Sequence, residues 1–104
     1  MKFNLYTIFD RIAEESGDIF QAVNHEVARR AVFLALKDVI SIDDYDLVCV
    51  GHYDTSTMLI RADESEGYPY RVDFIERYFK MKDEYSSRFD PEDIQREVDS
   101  EVAI

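Results

Sequence analysis

Cys49 and His52 stand three residues apart in the stretch DYDLVCVGHYDTSTM, which runs from Asp44 to Met58. They are the chain's single cysteine and one of its two histidines. A thiol beside an imidazole is the start of a nucleophilic pair, because the ring can take the thiol proton and leave a thiolate to attack. That requires hydrogen-bond reach between the two groups. Residues 47–53 read as a strand, and strand side chains alternate between faces. Leu47, Cys49 and Gly51 then point one way and Val48, Val50 and His52 the other, which separates the pair. A bulge at Gly51 would rotate one of them back. Without one, Cys49 reads as a buried structural thiol, the common role of a free cysteine.

The remaining titratable groups are weaker candidates. His52 and Asp54 share a face at i, i+2, and two histidines with scattered carboxylates could in principle hold a metal. There is no HExxH, no CxxC, no EF-hand loop and no glycine-rich phosphate loop. Glu14-Glu15, Asp43-Asp44 and Glu92-Asp93 fall where solvated turns and helix starts account for them. No catalytic, cofactor-binding or metal-binding residue is assigned, and the expectation is a protein that is not an enzyme. One group stands out. Arg29, Arg30 and Lys37 gather around Phe33 on one side of an expected helix, in an otherwise acidic chain. A large apolar side chain among cations suits contact with DNA or a protein partner. The competing reading is that Phe33 packs on a second helix or a loop while the arginines pair with local carboxylates.

The elements that must position these residues are legible from pattern. Residues 3–9, FNLYTIF, are aromatic and β-branched and read as a strand. Residues 10–18 connect it to a short strand at 19–23. Asn24 is a good helix cap with Glu26 in the first turn, and HEVARRAVFLALKDV holds no Gly or Pro. At 100° per residue, Val27, Ala31, Leu34 and Ala35 form the expected core face, with Ala28 and Val39 at its edge. The Asp54-Thr55-Ser56-Thr57 stretch is turn chemistry between the strand at 47–53 and another at 58–62. Residues 70–85 read as a second helix. Asp90-Pro91-Glu92-Asp93 is a helix start, followed by a narrow stripe of Ile94, Val98 and Val102.

With 104 residues, 46% of them hydrophobic and 13% aromatic, the chain has the material for one modest core. No apolar run approaches the ~20 residues of a membrane span, and MKFNLYTIFDR is not a signal peptide. A lone cysteine suits a reducing cytoplasm. The net charge of −11 is uneven. Residues 1–39 hold five Lys/Arg against six Asp/Glu, and residues 40–104 seven against seventeen. Because DNA affinity rests on cations that displace phosphate counterions, an acidic half must face away from DNA, mimic it, or meet a basic protein.

Three stretches together resemble a known family. Leu5–Asp10 (LYTIFD), Phe20–Val32 (FQAVNHEVARRAV) and Asp44–Thr57 (DYDLVCVGHYDTST) are similar to the small nonstructural protein of gokushovirus-type microviruses, which are single-stranded DNA phages. Asn24, Ala28 and Arg30 fall on that family's helix pattern. Asp46, Leu47, Gly51, Tyr53 and Asp54 fall on its strand pattern. The chain departs from the family at Met58, where glycine is usual after the turn, and in a longer acidic C-terminal extension. The resemblance implies an accessory protein made during infection, absent from the virion and described as DNA-binding, with a part in switching replication toward single-stranded genomes. It implies no catalytic residues.

The expected fold is α+β: a small antiparallel sheet of about four strands with two packed helices, residues 1–88 forming one domain. Residues 89–104 form an acidic C-terminal helical extension, peripheral to it. The expected function is that of a non-enzymatic phage accessory protein, working in the bacterial host cytoplasm without a cofactor. It would modulate viral DNA replication through single-stranded DNA or a replication protein, with Arg29, Arg30, Phe33 and Lys37 as the contact residues. The alternative is an acidic DNA mimic that binds a basic host protein. A core this small also suggests a homodimer. Burial of Ile94, Val98 and Val102 is worth on the order of 5 kcal/mol at best. Deleting residues 90–104 is therefore expected to leave a cooperative thermal transition with a modestly lower midpoint, and loss of that transition would place the stripe in the core.

Overall fold

The computed structural model describes residues 1–62 and 69–88; the expected C-terminal helix and residues 63–68 lie outside them. In chain order the elements are β1 (Lys2–Asp10), β2 (Glu15–Ser16), β3 (Phe20–Ala22), α1 (His25–Leu36), β4 (Tyr45–Asp54), β5 (Leu59–Ala62), β6 (Tyr70–Val72) and α2 (Ile75–Arg88). A single 3-10 turn, Ile42–Asp44, leads into β4. The fold is α+β, as its pattern of alternating strands and amphipathic helices suggests.

β1 and β4 pair antiparallel along their whole lengths and form the centre of the sheet. Both edges are divided. β2 pairs with the end of β1 and β3 with its beginning, while β5 pairs with the end of β4 and β6 with its beginning. Six strands thus fill four positions. Sequence pattern finds four of them and misses β2 and β6. Residues 70–72, expected to be helical, are a strand because Tyr70 and Val72 are good β residues and β4 offers an unpaired edge at Leu47–Cys49. The second helix begins only at Ile75.

The register changes at one point. Leu5 lies opposite Gly51 and Tyr6 opposite Cys49, so Val50 is an extra residue in β4, a β-bulge. Both helices pack on the face that carries Tyr6, Leu47, Cys49, Ala22 and Val72, and these residues join Ala28, Val32, Phe33, Phe74, Tyr78 and Met81 in one core. Asn24 caps α1 by accepting from the Val27 amide at 2.9 Å. The orientation of α1 differs from expectation. Ala28, Val32 and Phe33 are buried, and Leu34 is 59% exposed. The helix serves two neighbours: Ala28 and Val32 face the sheet and Phe33 faces α2, so its buried surface is centred away from Leu34. The Tyr78 hydroxyl donates to the Leu36 carbonyl at 2.9 Å and ties α2 to the end of α1.

Two backbone positions at the β4–β5 hairpin carry opposite demands. A Cβ on Gly51 would sit 2.4 Å from the Arg61 carbonyl oxygen, so the close approach of β5 depends on glycine there. Met58, where the resembled family favours glycine, has φ of 61° and occupies the left-handed region. Gly51→Ala is expected to cost about 1–3 kcal/mol by overpacking against backbone. Met58→Gly is expected to be neutral or to gain up to about 1 kcal/mol by relieving the left-handed strain. Urea denaturation of both variants checks the pair, and a stable Gly51→Ala with an unchanged midpoint would contradict the packing seen here.

Candidate functional site

The four residues singled out by the sequence lie on α1 where it meets α2, and they differ in availability. Phe33 is 5% exposed. It packs edge-on against Tyr78 and Tyr85, with ring centroids 5.7 and 6.1 Å away. It is therefore a seam residue and not the exposed apolar centre of a contact patch; its competing placement, on the second helix, is the one observed. Arg29 is also engaged. Its Nε donates to the Asp73 carbonyl at 2.6 Å and its Nη1 lies 3.5 Å from the Glu26 carboxylate. Glu26 is shared with Arg77, whose Nε donates to it at 2.6 Å. The Arg77 hydrogen bond is the largest cause of a Glu26 carboxyl held below its ordinary pKa. Lys37 places its ammonium over the Tyr85 ring, 5.0 Å from the centroid. Arg30 is exposed and lines a groove of about 390 Å3 between the helices with Val27, Leu34, Met81 and Tyr85.

α2 adds cations that α1 alone did not reveal. The two helices and the residues that flank them bring Arg29, Arg30, Lys37, Arg77, Lys80 and Lys82 to one layer, together with Glu26, Asp38, Asp73, Glu76, Asp83 and Glu84. Six against six leaves this layer near neutral in a chain of net charge −11. The signal was present in the sequence as Arg77 and Lys80 at i, i+3 with Lys82 nearby. It carried no meaning until tertiary packing set α2 beside α1.

Beneath the helices a hydrogen-bonded chain links both histidines. His52 Nδ1 is 2.9 Å from Asn4 Oδ1, Asn4 Nδ2 donates to the Tyr6 hydroxyl at 2.9 Å, and that hydroxyl is 2.7 Å from His25 Nδ1. A carboxamide oxygen only accepts, so His52 carries its proton on Nδ1. The Tyr6 hydroxyl accepts from Asn4 and meets His25 Nδ1, donating to a bare Nδ1 or accepting from a protonated one. Tyr6 is fully buried, and burial is the main cause that raises its pKa, opposed by the Asn4 bond. The polar Asn4 within the apolar run of residues 3–9 was the one sequence sign of this chain.

The bulge at Val50 also corrects the separation of Cys49 from His52. Cys49 pairs with Tyr6 and His52 with Asn4, and Asn4 and Tyr6 share the helix-side face, so both lie on the same side of the sheet. His52 is turned to Asn4, while the fully buried Cys49 thiol donates toward the Gly51 carbonyl at 3.8 Å. Asp54, the expected companion of His52, caps its own turn instead. Its Oδ1 accepts from the Ser56 hydroxyl at 2.6 Å and the Ser56 amide at 3.0 Å. These bonds hold the Asp54 carboxyl below its ordinary pKa. Among the described residues no three His, Cys, Asp or Glu side chains stand close enough to hold a metal, and no helix is long and apolar enough to cross a membrane.

Tyr6→Phe should leave the Asn4 amide and His25 without their shared partner and cost about 1–3 kcal/mol at pH 7. The phenols of Tyr6 and Tyr78 are both raised by burial, so the fold prefers their neutral forms. That contribution is complete below the unfolded phenol value of about 10 and is lost as pH rises through the folded values. Urea midpoints should therefore fall above about pH 10, and less steeply in Tyr6→Phe. A variant as stable as the native chain with the same alkaline limb would show that the hydroxyl is not a structural partner.

A protein-family model described as Phage ORF5 protein matches residues 3–72. The match spans the sheet from Phe3 in β1 to the end of β6 and includes α1. No curated protein and no solved structure matches the chain.

Proposed function

The chain belongs to the family of Phage ORF5 proteins, and from that membership we propose that it is a non-enzymatic accessory protein acting in viral DNA replication. In this reading it comes from a gokushovirus-type microvirus and works in the bacterial host cytoplasm. It modulates replication, or the switch to single-stranded genome synthesis, through single-stranded DNA or a replication protein. The observation that carries the reading is the helix layer, where six cations match six acids on a molecule of net charge −11. Association with a polyanion draws on cations that displace counterions, and these are concentrated on one side.

The structure of the layer divides the labour among its residues. Arg30 and Lys80 are exposed and serve as phosphate contacts, while the Lys82 ammonium sits over the Tyr78 ring, 5.8 Å from its centroid. Arg29 and Arg77 converge on Glu26 and hold α1 to α2, so their role is to shape the surface. Lys37 sits on Tyr85, and Phe33 supports the seam and does not stack on bases. The acidic remainder repels the polyanion and leaves a single productive orientation. The net charge of −11 favours a second reading, an acidic mimic of DNA that occupies a basic host protein.

Titration of a single-stranded oligonucleotide at several salt concentrations separates the two. Native protein is expected to bind with an affinity that falls steeply with salt, at about 0.7 log units per decade for each phosphate neutralised. Arg30→Glu/Lys80→Glu should weaken binding at least about tenfold while leaving the helix seam intact. Equal binding by the two proteins would remove the helix layer as the contact surface. Absence of binding by native protein at low salt, with retention on a basic host protein, would establish the mimic.

A further inference from the structure

The second face of the sheet is as apolar as the first, and no described helix covers it. The register assigns to it Phe3, Leu5, Thr7 and Phe9 of β1, Asp46, Val48, Gly51 and Tyr53 of β4, and Ile60 and Ala62 of β5. Ser16, Gln21 and Arg71 complete the rows from β2, β3 and β6. Val50, the bulged residue, lines a hollow of about 460 Å3 on this side with Thr7, Phe9 and Val48. None of these apolar residues belongs to the helix-side core. Ile60 is 70% exposed, while Val48 and Thr7 at the centre of the face are already buried at 7% and 6%.

We propose that this face is a self-association surface, and that the protein is a homodimer with two sheets packed face to face and the helix layers outside. Charge identifies the occupant. Asp46 and Arg71 are the only charged side chains among the register-assigned positions, and they pair at 3.7 Å, with Arg11 also 3.6 Å from Asp46. The face is thus close to neutral on a molecule of net charge −11. DNA and a basic protein both select for charge, and this surface offers neither a cationic nor an anionic match. A second acidic copy needs a neutral contact, because like charges in an interface are costly.

Size agrees. Central strands of nine and ten residues with divided edges of five and seven, at about 4.8 Å by 3.4 Å per residue, give a face of roughly 500 Å2 before side-chain relief. A standard interface buries about 800 Å2 per partner. Sheets stacked about 10 Å apart bury alternate side chains from both, which is the pattern these strands display. The arrangement leaves the two helix layers on opposite outer surfaces. It does not depend on what those layers bind, so the dimer and the DNA reading fail separately.

Sedimentation velocity on the full chain, from about 5 to 200 μM, tests the proposal through the mass dependence of a reversible dimer. The expected species has twice the 12.2 kDa chain mass. Val50→Glu/Ile60→Glu should be monomeric across that range with an unchanged far-ultraviolet circular dichroism spectrum. Should the double variant not fold, Ile60→Glu alone carries the test at an already exposed position. Leu34→Glu, on the helix layer, should leave the dimer intact. Native chain that stays monomeric throughout overturns the proposal, as does a dimer that survives Val50→Glu/Ile60→Glu or dissolves in Leu34→Glu. Conversion of native dimer to a one-to-one complex by a single-stranded oligonucleotide, lost in Ile60→Glu, would instead assign the face to bases.

Discussion

The antiparallel pairing of β1 with β4 is the interaction on which the other features depend. Nine residue pairs join the two strands, from Lys2 opposite Asp54 to Asp10 opposite Tyr45. Among the described residues, each of the four shorter strands pairs with one of these two and with no other strand. β2, β3 and β6 run to two or three residues, too few to persist alone. Their hydrogen bonds become worthwhile only once the long pair has already paid the entropy of closing the loop between residues 10 and 45.

Within that pairing the single bulge at Val50 decides which side chains meet. A strand's side-chain period is two, so one extra residue transfers everything beyond it to the opposite face. His52 is thereby moved to the helix side, where Asn4 and Tyr6 receive it, and Gly51 to the far side, where it lets the β5 backbone approach. The polar chain that results runs from the exposed His52 to the buried Tyr6, where an unmet hydroxyl costs more than a met one returns. Every buried side-chain nitrogen and oxygen among the described residues has a partner, which explains why a tyrosine, an asparagine and two histidines are tolerated beside the core.

Electrostatics divide the molecule into layers of different character. The helices gather cations, with Glu26 as the shared counter-ion that lets Arg29 and Arg77 lie close together. The exposed sheet face confines its charge to the Asp46–Arg71 pair with Arg11 beside it. One face with few charges and another where cations are matched by acids form a pattern that a net charge of −11 conceals. Function in a family of phage proteins is therefore read from how charge is distributed over the fold and not from its sum.

Much of the fold was legible in the residues. β-branched and aromatic runs marked β1 and β4, Asn24 marked the start of α1, and the Asp54–Thr57 turn marked the β4–β5 hairpin, because these signals act over a few neighbouring residues. The α+β class followed from them, and so did the doubt attached to Phe33, for which packing on a second helix was already the competing placement. Tertiary structure alone decided the rest. Tyr70–Val72 became a strand because β4 had an edge to offer, and Leu34 turned outward because α1 had to serve a sheet and a helix together. Lys80 joined Arg29 and Arg77 because α2 lies beside α1, and His52 crossed the sheet because of one unpaired residue. Each of these outcomes depends on a partner tens of residues away, and local propensity carries no information about a partner that only folding brings near.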